Sequence, residues 1–141
     1  MLVRFPDGTT VRASALWERR AEDPERDYGL YFDRLWCPTW PADVLEWENN
    51  GVPQDPPAAV EMIREAFRRA RAGGRVEIGC IAGLGRTGTA LACMAILAGV
   101  PPDGAVDWVR SHYDPAAVET RAQETWVEWF AGHVKQTAHG S

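Results

Sequence analysis

Gly79-Cys80-Ile81-Ala82-Gly83-Leu84-Gly85-Arg86-Thr87-Gly88-Thr89 joins two apolar runs of different period. The run before it, Arg75 to Gly79, is short, with Val76 and Ile78 as its apolar members, and predicts a strand. The run after it, Thr87 to Ala98, is apolar nearly all round and predicts a buried, central helix. Between them, small residues let the backbone curl, so that successive N–H groups point into one concavity, and the helix amino terminus adds partial positive charge. Such a cradle, formed by Ile81, Ala82, Gly83, Leu84 and Gly85, fits a dianionic phosphoryl group. Arg86 can bind two of its oxygens in a bidentate fork, which a lysine does not reproduce. The same local positive charge favours a thiolate at Cys80, at the base of the cradle and in line with phosphorus. The Thr87 hydroxyl can donate to the sulfur and help it leave when water cleaves a phosphocysteine, which divides one difficult step into two.

Other readings compete for this loop. Gly83-Leu84-Gly85-Arg86-Thr87-Gly88 satisfies Gly-x-Gly-x-x-Gly, a dinucleotide fingerprint. That motif needs a second strand after its helix; here the helix runs into Pro101-Pro102 and then another helical pattern. The Walker A pattern fails because no lysine precedes Thr87 or Thr89. An inert cysteine beside a glycine-rich turn is the plain structural alternative, but an apolar helix start rarely carries an arginine. A sulfur-transfer enzyme also uses a cysteine-headed loop; the Arg86-Thr87 ending favours phosphate. Cys93, inside the apolar helix, reads as core.

Outward from the loop, Val60, Ile63, Phe67 and Ala70 share one face of a helix stopped by Gly73-Gly74. On the other side, Pro102 to His112 predicts a helix with Ala105, Val106, Val109 and His112 on one face. Thr120 to Lys135 predicts the last helix, with Trp126, Val127, Phe130 and Val134 inward. Towards the amino terminus, the first fifteen residues alternate around Pro6-Asp7-Gly8-Thr9 and predict a β-hairpin. Glu18 to Asp27 reads as an exposed loop and Tyr28 to Leu35 as a strand. Trp36 to Pro57 holds five prolines and three tryptophans. It predicts an irregular loop packed by its own aromatics, with a short helix at Pro41 to Trp47. The fold class is therefore α/β, a central mixed and largely parallel sheet flanked by helices. The chain reads as one domain over 1–141, with residues 1–27 a hairpin and loop extension and 28–135 the core.

Composition limits the partners. The chain has 141 residues and a formal net charge of −5, which argues against nonspecific nucleic-acid binding. No apolar run reaches the eighteen or so residues of a membrane span. Three cysteines without framework spacing, and a start that turns charged at Arg4, point to a reducing, cytoplasmic setting. Cys37 reads as an unremarkable thiol, with a reversible disulfide to Cys80 as the alternative. No metal or organic cofactor is implied, since nucleophile and charge clamp are both protein groups. Nothing here fixes the oligomeric state.

Taken together, Cys80, five intervening residues, Arg86 and Thr87 resemble the signature of the cysteine-dependent tyrosine and dual-specificity phosphatases, and small bacterial members above all. The likeness extends over roughly Tyr28 to Phe130. It implies a strand–phosphate loop–helix unit in a mixed sheet and a phosphorylated substrate, phosphoprotein or small aryl phosphate. Where the family often has histidine before the nucleophile, this chain has Gly79. The family's acid loop, Trp-Pro-Asp-x-Gly-x-Pro, is matched by Trp47-Glu48-Asn49-Asn50-Gly51-Val52-Pro53, so the acid position holds Asn49. An amide has no proton to give, and general acid catalysis is worth about 10²–10⁴-fold. Asp43 and Glu48 are the alternative acids. Ala117-Val118-Glu119-Thr120-Arg121-Ala122-Gln123 resembles the segment whose glutamine orients the hydrolytic water, which gives Gln123 that role. Thr120 and Gln123 also read as a capping box, and both readings can hold. His112 and Asp114 read as helix-end residues. The expected activity is phosphomonoester hydrolysis through a phosphocysteine, with aryl phosphates suffering least from a missing acid. A phosphate-recognising module that has lost turnover is the alternative.

Overall fold

The computed structural model describes residues 1–15, 26–32, 40–48, 51–80 and 84–139, with side chains through 135. β1 (Leu2–Arg4) and β2 (Thr10–Ala15) form the expected antiparallel hairpin. Its turn is closed by Asp7 Oδ1, which accepts from the Thr9 amide at 3.0 Å, and by Gly8 at φ +89°, a left-handed angle that suits glycine. β3 (Tyr28–Tyr31), β4 (Ala42–Val44) and β5 (Val76–Cys80) complete a five-stranded sheet among the described residues, in the order β1-β2-β5-β3-β4. Only the β1–β2 pair is antiparallel; β2–β5, β5–β3 and β3–β4 are parallel. The sheet is therefore mixed and largely parallel, as expected, with β5 at its centre and buried throughout.

The hairpin joins the central sheet. β2 lies directly beside β5, and Val3, Phe5, Val11 and Ala13 belong to the buried core. The alternating apolar residues of the hairpin extend the buried face of the sheet beyond β5.

α1 (Pro56–Arg71) begins where Asp55 Oδ1 accepts from the Ala58 amide at 3.2 Å and ends before Gly73 at φ +98°. It buries Val60, Ile63, Phe67 and Ala70, the predicted stripe. α2 (Gly85–Leu97) is buried from Gly85 to Ala95, as its apolar circumference requires, and gives way at Gly99, φ +105°. A 3₁₀ turn, Pro102–Gly104, leads into α3 (Ala105–His112); α4 (Arg121–His139) follows. α1 and α2 cover the sheet face that carries Val76, Ile78 and Cys80, and α3 and α4 pack against α2.

Four local expectations change. Residues 41–47 hold no helix; Ala42–Val44 is a strand, because the free edge of β3 needs partners and takes them from Pro41 O and the Leu45 amide. The strand at Tyr28 stops at Tyr31. Arg26, assigned to an exposed loop, is buried near Glu77. His112 is exposed and stacked on Trp108 rather than turned inward, with ring centroids 4.2 Å apart. Residues 16–25, 33–39, 49–50 and 81–83, which include Cys37, Asn49 and part of the phosphate loop, lie outside the described residues.

Candidate active site

Cys80 is the last residue of β5, and α2 begins five residues later. The Thr87 hydroxyl donates to Cys80 Sγ at 3.1 Å across a buried contact. Sulfur and hydroxyl thus meet at the junction of the central strand and the central helix. The amino terminus of α2 has no side-chain cap. A buried helix start favours an anion, because its first N–H groups have no intrahelical acceptor and the helix dipole is positive there. Leu84 and Gly85 stand at this start; Ile81, Ala82 and Gly83 fall outside the described residues.

Arg86 is 5% exposed, and Nη1 of its guanidinium donates to two main-chain carbonyls, Phe32 O at 3.0 Å and Trp47 O at 2.8 Å. These carbonyls come from the end of β3 and from the loop after β4. Both of the Nη1 hydrogens are thereby directed, which fixes the plane of the fork. Arg86 is thereby tied to the loop that carries Trp47.

That loop is closed on itself. Trp47 pairs with Pro53 in an isolated antiparallel bridge, and its indole Nε1 donates to Gly51 O at 2.7 Å. The Trp47 ring is buried against Phe32 and Trp126, at centroid distances of 4.9 and 5.7 Å. Its own aromatic anchor holds the loop, as expected for this stretch. Glu48, next in the chain, is exposed, and its carbonyl accepts from the Gly51 amide at 2.9 Å. Asp43 is elsewhere: on β4, opposite Leu30 of β3, its carboxylate accepts from Tyr28 OH at 2.6 Å. Burial and the Asp43 charge push the Tyr28 phenol well above its ordinary range.

Gln123 is fully buried. Its main-chain N–H donates to Thr120 Oγ1 at 3.2 Å, and its Oε1 accepts from the Glu119 and Thr120 amides at 2.8 and 3.3 Å, a capping box at the start of α4. Its Nε2 donates to Gly51 O at 3.0 Å, so the last helix is tied to the Trp47 loop. His112 Nδ1 lies 2.8 Å from Trp108 O, and Asp114 accepts from the Ala116 amide at 2.8 Å; neither joins the site. Cys93 is buried in α2, and burial pushes its thiol up.

Three further residues border the loop. Glu119 Oε1 lies against Gly85 so closely that any Cβ there would overlap it. Val118 sits at φ +61°, among the described residues the one non-glycine with a positive φ. Arg110 donates from Nε to Ala117 O at 2.9 Å and from Nη2 to Val118 O at 2.8 Å. No feature of spacing or composition marks these residues; only the packing of the 117–119 turn on α2 brings them in.

On the opposite sheet face, Glu77 is fully buried in β5. It accepts from Ser14 Oγ and from Tyr31 OH, each at 2.7 Å, and Trp40 Nε1 donates to Tyr31 OH at 2.9 Å. The Tyr31 ring lies across Gly29, where a Cβ would strike it. A charge in the middle strand of a covered sheet must be paired, and that rule was the signal available in Val76-Glu77-Ile78.

Cys80 thus ends the central strand, and Arg86 and Thr87 open the buried helix that follows it. Residues 38–113, more than half of the chain, match the family model described as protein-tyrosine phosphatase. Two proteins of Methanocaldococcus jannaschii, themselves uncharacterized, are 34% and 32% identical over 111 residues, covering 70% of this chain and 71% and 66% of their own. Among solved structures, human DUSP28 is similar with a TM-score of 0.74 at 11% identity, covering 97% of this chain and 99% of that one. PTPMT1 is similar with a TM-score of 0.71 at 15% identity over all of both chains. The G95A mutant form of Tk-PTP gives 0.65 at 23%, covering 95% and 97%. At these identities the structural likeness shows the fold. The chain belongs to the protein-tyrosine phosphatase family. Among the described residues no helix is long and apolar enough to cross a membrane.

Proposed function

We propose that the protein hydrolyses phosphomonoesters through a phosphocysteine on Cys80, with phosphotyrosine or other aryl phosphates as substrates. The observation that carries this is the Thr87 hydroxyl on Cys80 Sγ at the uncapped start of α2. In this reading the N–H groups of Ile81, Ala82, Gly83, Leu84 and Gly85 and the Nε–Nη2 edge of Arg86 hold the phosphoryl oxygens. The carbonyls on Nη1 keep that edge in register. Attack forms the S–P bond as the P–O bond to the leaving group breaks. Water then attacks phosphorus, the S–P bond breaks, and the Thr87 hydroxyl stabilises the departing sulfur.

Gln123 fits a holding role: its carboxamide caps α4 and grips Gly51 of the loop behind Arg86. Orienting the hydrolytic water, the role implied by resemblance, requires Nε2 to leave Gly51 O. Asp43 is engaged with Tyr28 within the sheet, which speaks against its acting as the acid.

The test is hydrolysis of p-nitrophenyl phosphate by the wild type and by Cys80→Ser, with mass-spectrometric trapping of the phosphorylated cysteine. Equal rates in the two proteins would discard the enzyme reading. Asn49 favours one second reading, a phosphate-binding module without turnover. Tight phosphate-ester binding with no release of phosphate would select it.

A further inference from the structure

Asn49 leaves the first half of this reaction without a proton at the position where the family keeps one. The carboxylates near the loop differ in what they can do. Asp43 is bonded to Tyr28, Glu124 is paired with Arg110 at 3.2 Å, and Glu77 faces away from Cys80 across the sheet. Glu119 is exposed, touches Gly85 directly before Arg86, and among the described residues its carboxylate has no hydrogen-bond or ion-pair partner.

The backbone that delivers Glu119 is held from several sides. Val118 is β-branched, and a left-handed φ is an outlier for such a residue. Strain of this kind persists where the surroundings over-determine it, and it collects at functional sites. Here Arg110 grips the carbonyls of Ala117 and Val118. Ala117 is seated on Gly88 of α2, where a Cβ would meet it at 2.7 Å. The Glu119 amide is held by Gln123. Relaxing Val118 to an ordinary φ would swing the next side chain off the loop.

We infer that Glu119 is the proton carrier of the reaction, a catalytic residue acting where position 49 has lost its acid, with Arg110 as its positioning residue. The inference rests on the phosphatase reading above. In the first step the Glu119 carboxylic acid gives its proton to the ester oxygen as the P–O bond breaks, so an alcohol or phenol leaves. In the second, the Glu119 carboxylate takes a proton from the water attacking phosphorus, and phosphate and the Cys80 thiolate are released.

The experiment compares single-turnover release of phenol from phenyl phosphate with release of nitrophenol from p-nitrophenyl phosphate, whose leaving group needs no proton. Glu119→Gln is expected to slow phenol release by about 10²-fold or more while leaving nitrophenol release nearly intact. Glu119→Asp should recover part of the phenol rate, which separates proton transfer from misfolding. An equal loss on both esters, no loss on either, or the selective loss appearing in Glu48→Gln instead would overturn the assignment. A phosphocysteine that forms with unchanged leaving-group dependence in Glu119→Gln removes this inference alone. Absence of any phosphocysteine in the wild type removes the phosphatase reading and this inference with it.

Discussion

Replacing Glu77 by leucine tests whether a buried carboxylate holds the centre of the sheet together. Its two oxygens accept from Tyr31 OH and Ser14 Oγ, and Arg26 Nε lies 3.9 Å away. Leucine removes the acceptors and leaves the donors in place. A buried donor stranded in this way costs about 1–3 kcal/mol. Tyr31, fully buried, should bear most of this, whereas Ser14 is only partly buried and keeps access to water. Removing one member of a buried ion pair costs about 3–5 kcal/mol, but the Arg26 contact is long, so its share lies below that range. The sum is about 3–5 kcal/mol, against a domain stability of about 5–15 kcal/mol. Urea unfolding followed by tryptophan fluorescence should show the midpoint falling by about 2 M at a slope near 2 kcal/mol/M. Tyr31→Phe should cost about 1–3 kcal/mol in the wild type and much less beside Glu77→Leu, because its hydroxyl has already lost its acceptor. A drop under about 1 kcal/mol, or strict additivity of the two changes, would refute the network as a source of stability.

Other consequences are open to direct measurement. Gly88→Ala should destabilise by about 1–2 kcal/mol, since overlap with Ala117 outweighs the gain in helix preference; an unchanged melting curve would show that the 117–119 turn yields freely. Gly85→Ala meets only the flexible end of Glu119, so stability should hold while phenyl phosphate turnover falls; intact turnover would contradict the placement of Glu119. Burial raises the Cys93 thiol above its ordinary value, so its contribution to stability is present below that value and lost as pH rises above it. Iodoacetamide should leave Cys93 unmodified in the native protein and label it in urea. Arg68 and Arg69 hold Glu65 down to about 2, so the pairing is intact above the ordinary carboxylate value near 4.5 and fails as pH falls toward 2. Carbon-detected titration should show the Glu65 midpoint rising towards its ordinary value in Arg68→Ala.

Features set by neighbouring residues can be read from the chain alone. Cys80, Arg86 and Thr87 lie within eight consecutive residues, and a strand, a small-residue loop and an apolar helix are each written in their own residues. The α1 stripe, the Asp7-Gly8 turn and the buried circumference of α2 are periodic signals of the same kind. The helix placed at 41–47 shows the limit. Three residues of ambiguous propensity became a strand because the edge of β3 offered them hydrogen bonds, and no reading of those three residues contains that edge.

The remaining features depend on contacts between residues far apart in the chain, which folding alone brings together. The carbonyls that aim Arg86 come from positions 32 and 47. The glutamine of the capping box reaches Gly51 because α4 returns beside that loop. Asp43, an alternative acid by resemblance, accepts from Tyr28 in the sheet. Nothing local distinguishes Glu119 from any exposed glutamate. Arg110, Gly88 and the strained Val118 set it against the phosphate loop, and backbone strain has no signature in residue type when the residue that bears it is a valine.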